Sequence, residues 1–360
     1  MSPDEVLSMP PFGHAQAGKE VWLRDGLTAL TAGHMDACPA YGRWVRAMFP
    51  LFSRDSSADR LADLPWLPVG VFKTHLLSSV PEDNVVRILT SSGTSGQAVS
   101  RVPLDAITAN RQVRALSAIL QSVLGPRRLP MLIIDSQAAI APGAALSARG
   151  AGILGMMPFG HHHVFALDQD MALRQEALAG FLERWGGEPF LVFGFTFMIW
   201  RHLLPGLAGR GKALANAILL HGGGWKALAG QGVDNDAFKT ALRRETGLER
   251  AVNFYGMAEQ VGSVFLEGGD GLLHAPAAAD VIIRDPVTWE EAPAGNSGVI
   301  QVVSLLPTSY PGHSILTEDM GVIESVDDGE WKGKAFRVLG RVSRAEPRGC
   351  SDALAAGSLR

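Results

Sequence analysis

From residue 85 onward, short apolar runs end repeatedly in glycine or polar turns, and this rhythm narrows the folds open to the chain more than any other feature. The runs 85–89, 131–134, 217–220 and 251–254 lead into Ser91-Ser92-Gly93, Asp135, His221-Gly222-Gly223-Gly224 and Tyr255-Gly256. Helix-like stretches at 107–124 and 171–185 lie between them. Strand alternating with helix predicts an α/β body built on a largely parallel sheet. Ligands in such sheets bind beyond the carboxyl ends of the strands, and each of these loops is expected there.

The flanking segments differ. Trp22, Leu23, Leu27 and Leu30, then Tyr41, Val45, Met48 and Phe49, recur at helical spacing before Pro65, Pro68 and Pro81. Residues 1–80 are therefore expected to form a helical leader packed on the body. A single α/β body is expected over 81–341. Within it the helical pattern fades after about residue 268, and 281–283 and 299–303 have strand character, so a β-rich lobe is expected. A short tail, 342–360, carries Cys350.

Composition excludes several classes. Of 360 residues, 47% are hydrophobic, enough for a large core, and 32 basic against 36 acidic residues leave a net charge of -4. That balance offers no field for nucleic acid or anionic lipid. The most apolar stretch, 190–200, is broken by Gly194 and Thr196 and is shorter than the roughly 20 residues of a membrane span. The N-terminus has no basic start followed by an apolar run, so no signal peptide is expected. Two cysteines, Cys38 and Cys350, make no secreted framework, and a cytoplasmic setting with free thiols is expected.

Five segments carry candidate chemistry. Thr90-Ser91-Ser92-Gly93-Thr94-Ser95-Gly96 sets hydroxyls and glycines after a strand, which suits backbone N–H groups wrapping a phosphate. It lacks the Gly-Lys-Ser/Thr of a Walker loop, and taken alone it fits an ordinary turn as well. His221-Gly222-Gly223-Gly224-Trp225-Lys226 removes side chains from one surface, either for a flat ring such as adenine or for a tight turn. In Tyr255-Gly256-Met257-Ala258-Glu259-Gln260 the aromatic can stack on a base, and Glu259 can hold Mg²⁺ or simply be solvated. Asp319, in Thr317-Glu318-Asp319, can accept from ribose hydroxyls or cap a turn. Cys350, with Arg348 nearby, is a nucleophile candidate or an incidental thiol. His161-His162-His163 are placed on a pocket rim or surface loop, because adjacent residues point different ways and match no zinc spacing. Phe159, Phe193 and Phe195 join them as pocket candidates, and no Gly-x-Ser-x-Gly elbow is present.

In this order the loops resemble those of the adenylate-forming enzymes. More narrowly, the chain resembles the acyl-protein synthetase family, whose best-known members activate fatty acids for the reductase complex of bacterial luminescence. The resemblance begins with His34-Met35-Asp36-Ala37-Cys38-Pro39-Ala40-Tyr41 and Leu67-Pro68-Val69-Gly70-Val71-Phe72-Lys73. It runs through the loops above to Ser309-Tyr310-Pro311-Gly312-His313 and Ala345-Glu346-Pro347-Arg348-Gly349-Cys350-Ser351-Asp352. It implies the large N-terminal domain of an adenylate-forming enzyme, with mixed sheets, flanking helices and a β-rich lobe. It also implies two half-reactions: a carboxylic, fatty acid attacks ATP to give acyl-adenylate and pyrophosphate, and the acyl group then passes to Cys350. On that resemblance the 91–96 loop holds the β- and γ-phosphates, Gly222, Gly223, Gly224 and Tyr255 line adenine, and Glu259 binds Mg²⁺. Asp319 binds the ribose, and Arg341 sits at the hinge or on the ribose. An acyl-reductase or acyltransferase partner would receive the acyl group.

There are departures from the superfamily pattern. The lysine that closes its Ser/Gly loop is absent, with Arg101 the nearest basic residue, and Ala258 replaces the usual threonine before Glu259. The chain ends about 20 residues after Gly340-Arg341, where the superfamily continues into a domain with a catalytic lysine, so the full C-terminal domain is expected to be lacking. A partner protein, Lys226 or Arg101 would then supply the missing charge. Two other readings share the adenylation fold: a ligase that loads coenzyme A or a carrier protein, and a scaffold subunit without chemistry.

Overall fold

The structure is a computed structural model that describes residues 1–91, 99–141, 148–209, 211–223 and 233–342. The chain divides into two compact units, one made of Met1–Ser91, Gln97–Ser122 and Tyr255–Ala345 and the other centred on Val123–Phe254.

The second unit is the expected parallel sheet. Its strands lie in the order Arg250–Tyr255, Ala217–Gly222, Phe190–Phe195, Leu129–Ser136 and Gly160–Leu167, each parallel to its neighbour. The three middle strands are apolar almost throughout because both faces of such a sheet are covered. On one face Leu132, Ile134, Val192 and Leu219 pack with Leu178 and Phe181 of helix Gln175–Trp185 and with Phe238 and Leu242 of helix Asn235–Thr246. Each such side chain, fully buried, contributes about 1.5–3 kcal/mol. Helix Asn235–Thr246 is delimited by its own ends. The Asp234 carboxylate accepts the Ala237 N–H at 2.8 Å, and Gly247 closes it at φ 72°.

Two local expectations shift. The helix read over 171–185 begins at Gln175, because Asp168 Oδ1 accepts the N–H groups of Asp170 and Ala172 and turns the chain through Met171 at φ 65°. His161, His162 and His163 lie on an edge strand and not on a loop. His162 adopts φ 48° beside a register shift against strand Leu129–Ser136, and His161 and His162 pack on Trp185.

In the first unit the leading segment is helical over Gln16–Ala37 and Pro39–Met48, the second helix opening at Pro39, where no N–H is needed. Leu23 and Leu27 bury against Ile282, Val303 and Leu305. Lys19 is drawn into the same interior. Its ammonium donates to the Ala275 carbonyl at 2.9 Å and lies 3.9 Å from Asp280, and burial pulls it down to about 8. The β-rich part is an antiparallel ribbon of Ala279–Arg284, Ser297–Ser304, Ser314–Val326 and Lys334–Arg341, extended by Leu273–His274 and Phe265–Glu267.

The Ser/Thr/Gly loop follows a different strand type from the one expected. Arg87–Thr90 pairs antiparallel with Arg101–Leu104, from Arg87↔Leu104 to Thr90↔Arg101, in a two-stranded sheet of its own. Arg87, Ile88 and Thr90 are exposed. A run broken by Arg87 cannot take the doubly covered position that the 217–220 run occupies.

Candidate functional site

In the first unit the site is built around Asp319. Strand Ser314–Val326 carries it, and Lys334–Arg341 pairs alongside so that Asp319 faces Arg341 in register. Arg341 Nε lies 3.6 Å from Asp319 Oδ1, and its Nη2 donates to Glu318 Oε2 at 2.7 Å. From the end of strand Arg250–Tyr255, the Tyr255 hydroxyl donates to Asp319 Oδ2 at 2.8 Å. Burial first, and the Asp319 charge second, push the Tyr255 hydroxyl well above its ordinary value, so it stays protonated and donates. The Asp319 N–H donates to Thr317 Oγ1 at 3.1 Å, which fixes the carboxylate's own backbone.

Glu259 lies in the one-turn helix Ala258–Gln260 and is buried. Two features of 309–313 hold that turn. The Tyr310 hydroxyl donates to the Glu259 carbonyl at 2.8 Å, and the Gln260 amide donates to the carbonyls of Gly312 and Val302 at 2.8 and 3.1 Å. Gly312 has no substitute, because a Cβ there would lie 2.1 Å from the Tyr310 ring and 2.9 Å from the Glu259 carbonyl oxygen. The Glu259 charge contributes to raising both Tyr255 and Tyr310, so it acts on the ring beside Asp319. No cluster of three or more metal-ligating side chains exists among the described residues. A single carboxylate does fit Mg²⁺, which is commonly held by one or two carboxylates with substrate phosphates completing its shell.

His34 and His313 form a second buried pair in this unit, stacked at 4.9 Å. His34 Nδ1 lies 2.7 Å from Ser79 Oγ, and His313 Nε2 lies 2.8 Å from Thr31 Oγ1. They pin helix Gln16–Ala37 to the 309–313 segment. Thr90 and Ser91 stand at the end of the hairpin, where the Ser91 hydroxyl accepts the Ser100 N–H at 2.9 Å. Ser92, Gly93, Thr94, Ser95 and Gly96 lie outside the described residues, as do Gly224 and Cys350.

In the second unit the carboxyl end of strand Ala217–Gly222 carries His221, Gly222 and Gly223. His221 is fully buried with Nδ1 3.0 Å from Thr196 Oγ1, and burial lowers it to about 3, so it is neutral. The two glycines answer different demands. A Cβ on Gly222 would lie 2.8 Å from the Phe254 ring, so that residue's bare surface is filled from within the unit. Gly223 is exposed at φ 105°, and its missing side chain leaves the Phe195 ring 3.5 Å away. Phe193 is buried against Phe254 and Phe195. Sequence patterning named Thr196, Phe254 and Tyr310 without giving them a contact in the site, and it missed an ion pair of buried Asp135 with Arg149 at 3.2 Å. Asp135 left a signal as the polar residue ending a strand run, Phe254 as the last residue of the 251–254 run and Tyr310 as part of the 309–313 segment, whereas Arg149 left none.

A profile of the family described as "Acyl-protein synthetase, LuxE" matches residues 2–357. A Vibrio harveyi long-chain-fatty-acid–luciferin-component ligase is 23% identical over 309 residues, 81% of this chain and 77% of that protein. Among solved structures, an open conformation of 2-hydroxyisobutyryl-CoA ligase with 2-HIB-AMP and CoA matches at a TM-score of 0.68 and 14% identity, over 92% of this chain and 77% of that one. The same ligase in its postadenylation state with 2-HIB-AMP matches at 0.63 and 14% identity, over 92% and 69%. These likenesses show the fold of an adenylate-forming ligase.

Proposed function

This chain belongs to the acyl-protein synthetase family, and we propose that it activates a fatty acid and then carries the acyl group on Cys350. The chain is a ligase that activates an acyl group with ATP. In the first half-reaction an oxygen of the acid's carboxylate attacks the α-phosphorus of ATP, the bond to the β-phosphate oxygen breaks, and pyrophosphate leaves. In the second, the Cys350 thiolate attacks the acyl carbon of the adenylate, AMP leaves, and a thioester remains. Most of the rate comes from positioning and from neutralising charge on phosphate.

Each group has one task in this scheme. The 90–96 segment holds the β- and γ-phosphates, Tyr255 borders the adenine, and Asp319 accepts from the ribose hydroxyls beside Arg341. Glu259 would hold Mg²⁺, which supplies charge neutralisation at the phosphates when bound. The acyl group is handed on to an acyl-reductase or acyltransferase partner, in a cytoplasmic setting. Among the described residues no helix is long and apolar enough to cross a membrane.

Convergence on residues 318 and 319 carries this reading. The Tyr255 hydroxyl and Arg341 meet there, and the Val342 N–H donates to the Glu318 carbonyl at 2.9 Å. The tail therefore leaves the described structure one residue away from the ribose-binding candidate.

Pyrophosphate exchange into ATP, driven by a panel of fatty and aromatic acids, tests the first half. Acyl labelling of the protein tests the second. The Cys350→Ser variant is expected to keep acid-dependent exchange and lose the label. Equal labelling of the variant removes Cys350 from the scheme, and no acid-dependent exchange in the unaltered protein removes the adenylation.

A further inference from the structure

The reading above leaves one charge unassigned, because the 90–96 segment has no closing lysine. The parallel unit contains a cation in a suitable place. Arg149 lies in the first turn of helix Ala148–Met156, and its Nε is 3.2 Å from Asp135 Oδ2. The Asp135 side chain is almost wholly buried, while that of Arg149 keeps 21% of its surface exposed. Asp135 Oδ1 accepts the Ser136 N–H at 2.7 Å, so the carboxylate is held from its own strand. Neither Nη group of Arg149 has a partner among the described residues.

Register places this pair at the ligand-binding end of the sheet. Ile133 pairs with Phe193, and Asp135 and Phe195 each lie two residues further on, Asp135 at a register shift of its strand against Gly160–Leu167. Arg149 and Gly152 are three residues apart and share a helix face. A Cβ on Gly152 would lie 3.1 Å from the tip of the Phe195 ring, and one on Gly223 would lie 3.5 Å from the same ring. Phe195 therefore touches both the helix of Arg149 and the glycine turn, with Phe193 beside it.

We propose that Arg149, positioned by Asp135, binds the carboxylate of the acid substrate through its two Nη groups, with the acid's first carbons against Phe195. The arginine fork matches two carboxylate oxygens at once, and the aromatic wall keeps water from competing. Asp135 Oδ2 lies 3.2 Å from Arg149 Nε as an ion-pair contact and has no hydrogen-bond partner among the described residues. Arg149 is then a binding residue and Asp135 a positioning residue. The Arg149 side chain keeps part of its surface open, so an anionic substrate can reach its guanidinium beside Asp135. This rests on the reading that an acid is activated here, and it names how that acid is recognised.

The test compares binding of dodecanoate, octanoate and benzoate with that of the alcohols of equal size, by calorimetry on the full chain without ATP. The unaltered protein is expected to prefer at least one acid over its alcohol by roughly 10- to 100-fold, the range of hydrogen bonds to a charged group. Arg149→Gln should erase that preference while leaving ATP affinity unchanged, and Arg149→Lys should keep part of it. Asp135→Asn should raise KM for the acid more than it lowers kcat, with KM for ATP unmoved. The double variant Asp135→Asn, Arg149→Gln removes both charges together and should melt close to the unaltered protein while showing no preference. A preference retained in Arg149→Gln overturns the proposal, as does a loss confined to ATP binding or no preference in the unaltered protein. Acid preference without acid-dependent pyrophosphate exchange would instead leave Arg149 standing and sink the adenylation reading.

Discussion

The Tyr255 hydroxyl donates to Asp319 Oδ2 at 2.8 Å across 64 positions of sequence. The same carboxylate has Arg341 Nε 3.6 Å from its other oxygen. Three residues from three separate strands are thus joined at one acceptor, whose oxygens are oriented before any ligand arrives.

Removing the charge of Asp319 should therefore matter more than removing one of its partners. Asp319→Asn is expected to weaken ATP binding by about 10-fold or more, since a hydrogen bond to a charged group is worth about 1.5–3 kcal/mol. Tyr255→Phe keeps the charge and should weaken binding less. Calorimetric titration with ATP and Mg²⁺ checks both, and an Asp319→Asn protein that binds as tightly as the unaltered one takes Asp319 out of the nucleotide site.

Gly222 is expected to be a packing residue. Gly222→Ala places a methyl 2.8 Å from the Phe254 ring and should destabilise the protein by about 1–3 kcal/mol. Phe254→Leu in the same protein should recover part of that loss, because the two sites share one contact. Denaturant unfolding of both singles and the double measures the coupling, and strictly additive losses would show that Phe254 is not what excludes the side chain.

Acid should weaken the fold through its buried histidines. Burial lowers His34 to about 4, whereas in the unfolded chain it protonates near 6.5. Between those values the unfolded state binds the proton and the folded state does not, so stability rises with pH and is lost as pH falls through this window. The gap corresponds to about 3 kcal/mol for His34, and His221 and His313 are lowered in the same direction. Melting temperature followed from pH 7 to pH 4 should fall, and less steeply in His34→Gln. Parallel curves for the two proteins would contradict the assignment.

The parallel strands, the two N-terminal helices and the candidate loops were legible because each is a local demand. The runs 131–134 and 217–220 are apolar throughout, which only a doubly covered strand tolerates. Leu23 and Leu27 recur at the helical period. The hairpin Arg87–Thr90 was harder to see, because four residues with one exposed isoleucine carry no sign of which sheet they join.

By itself, then, the sequence determined the kind of chain this is: an α/β protein whose hydroxyl, glycine, Tyr-Gly and acidic segments occur in the order of its family. Tertiary structure alone decided which of those residues meet. It joined Tyr255 and Arg341 to Asp319, filled the bare face of Gly222 with Phe254, braced Glu259 with Tyr310 and set Arg149 against Asp135. The physical reason is one of range. Periodicity and backbone sterics act over a few residues and leave a mark in the sequence, whereas strand register and ring packing act across tens of residues and exist only once the sheet has formed.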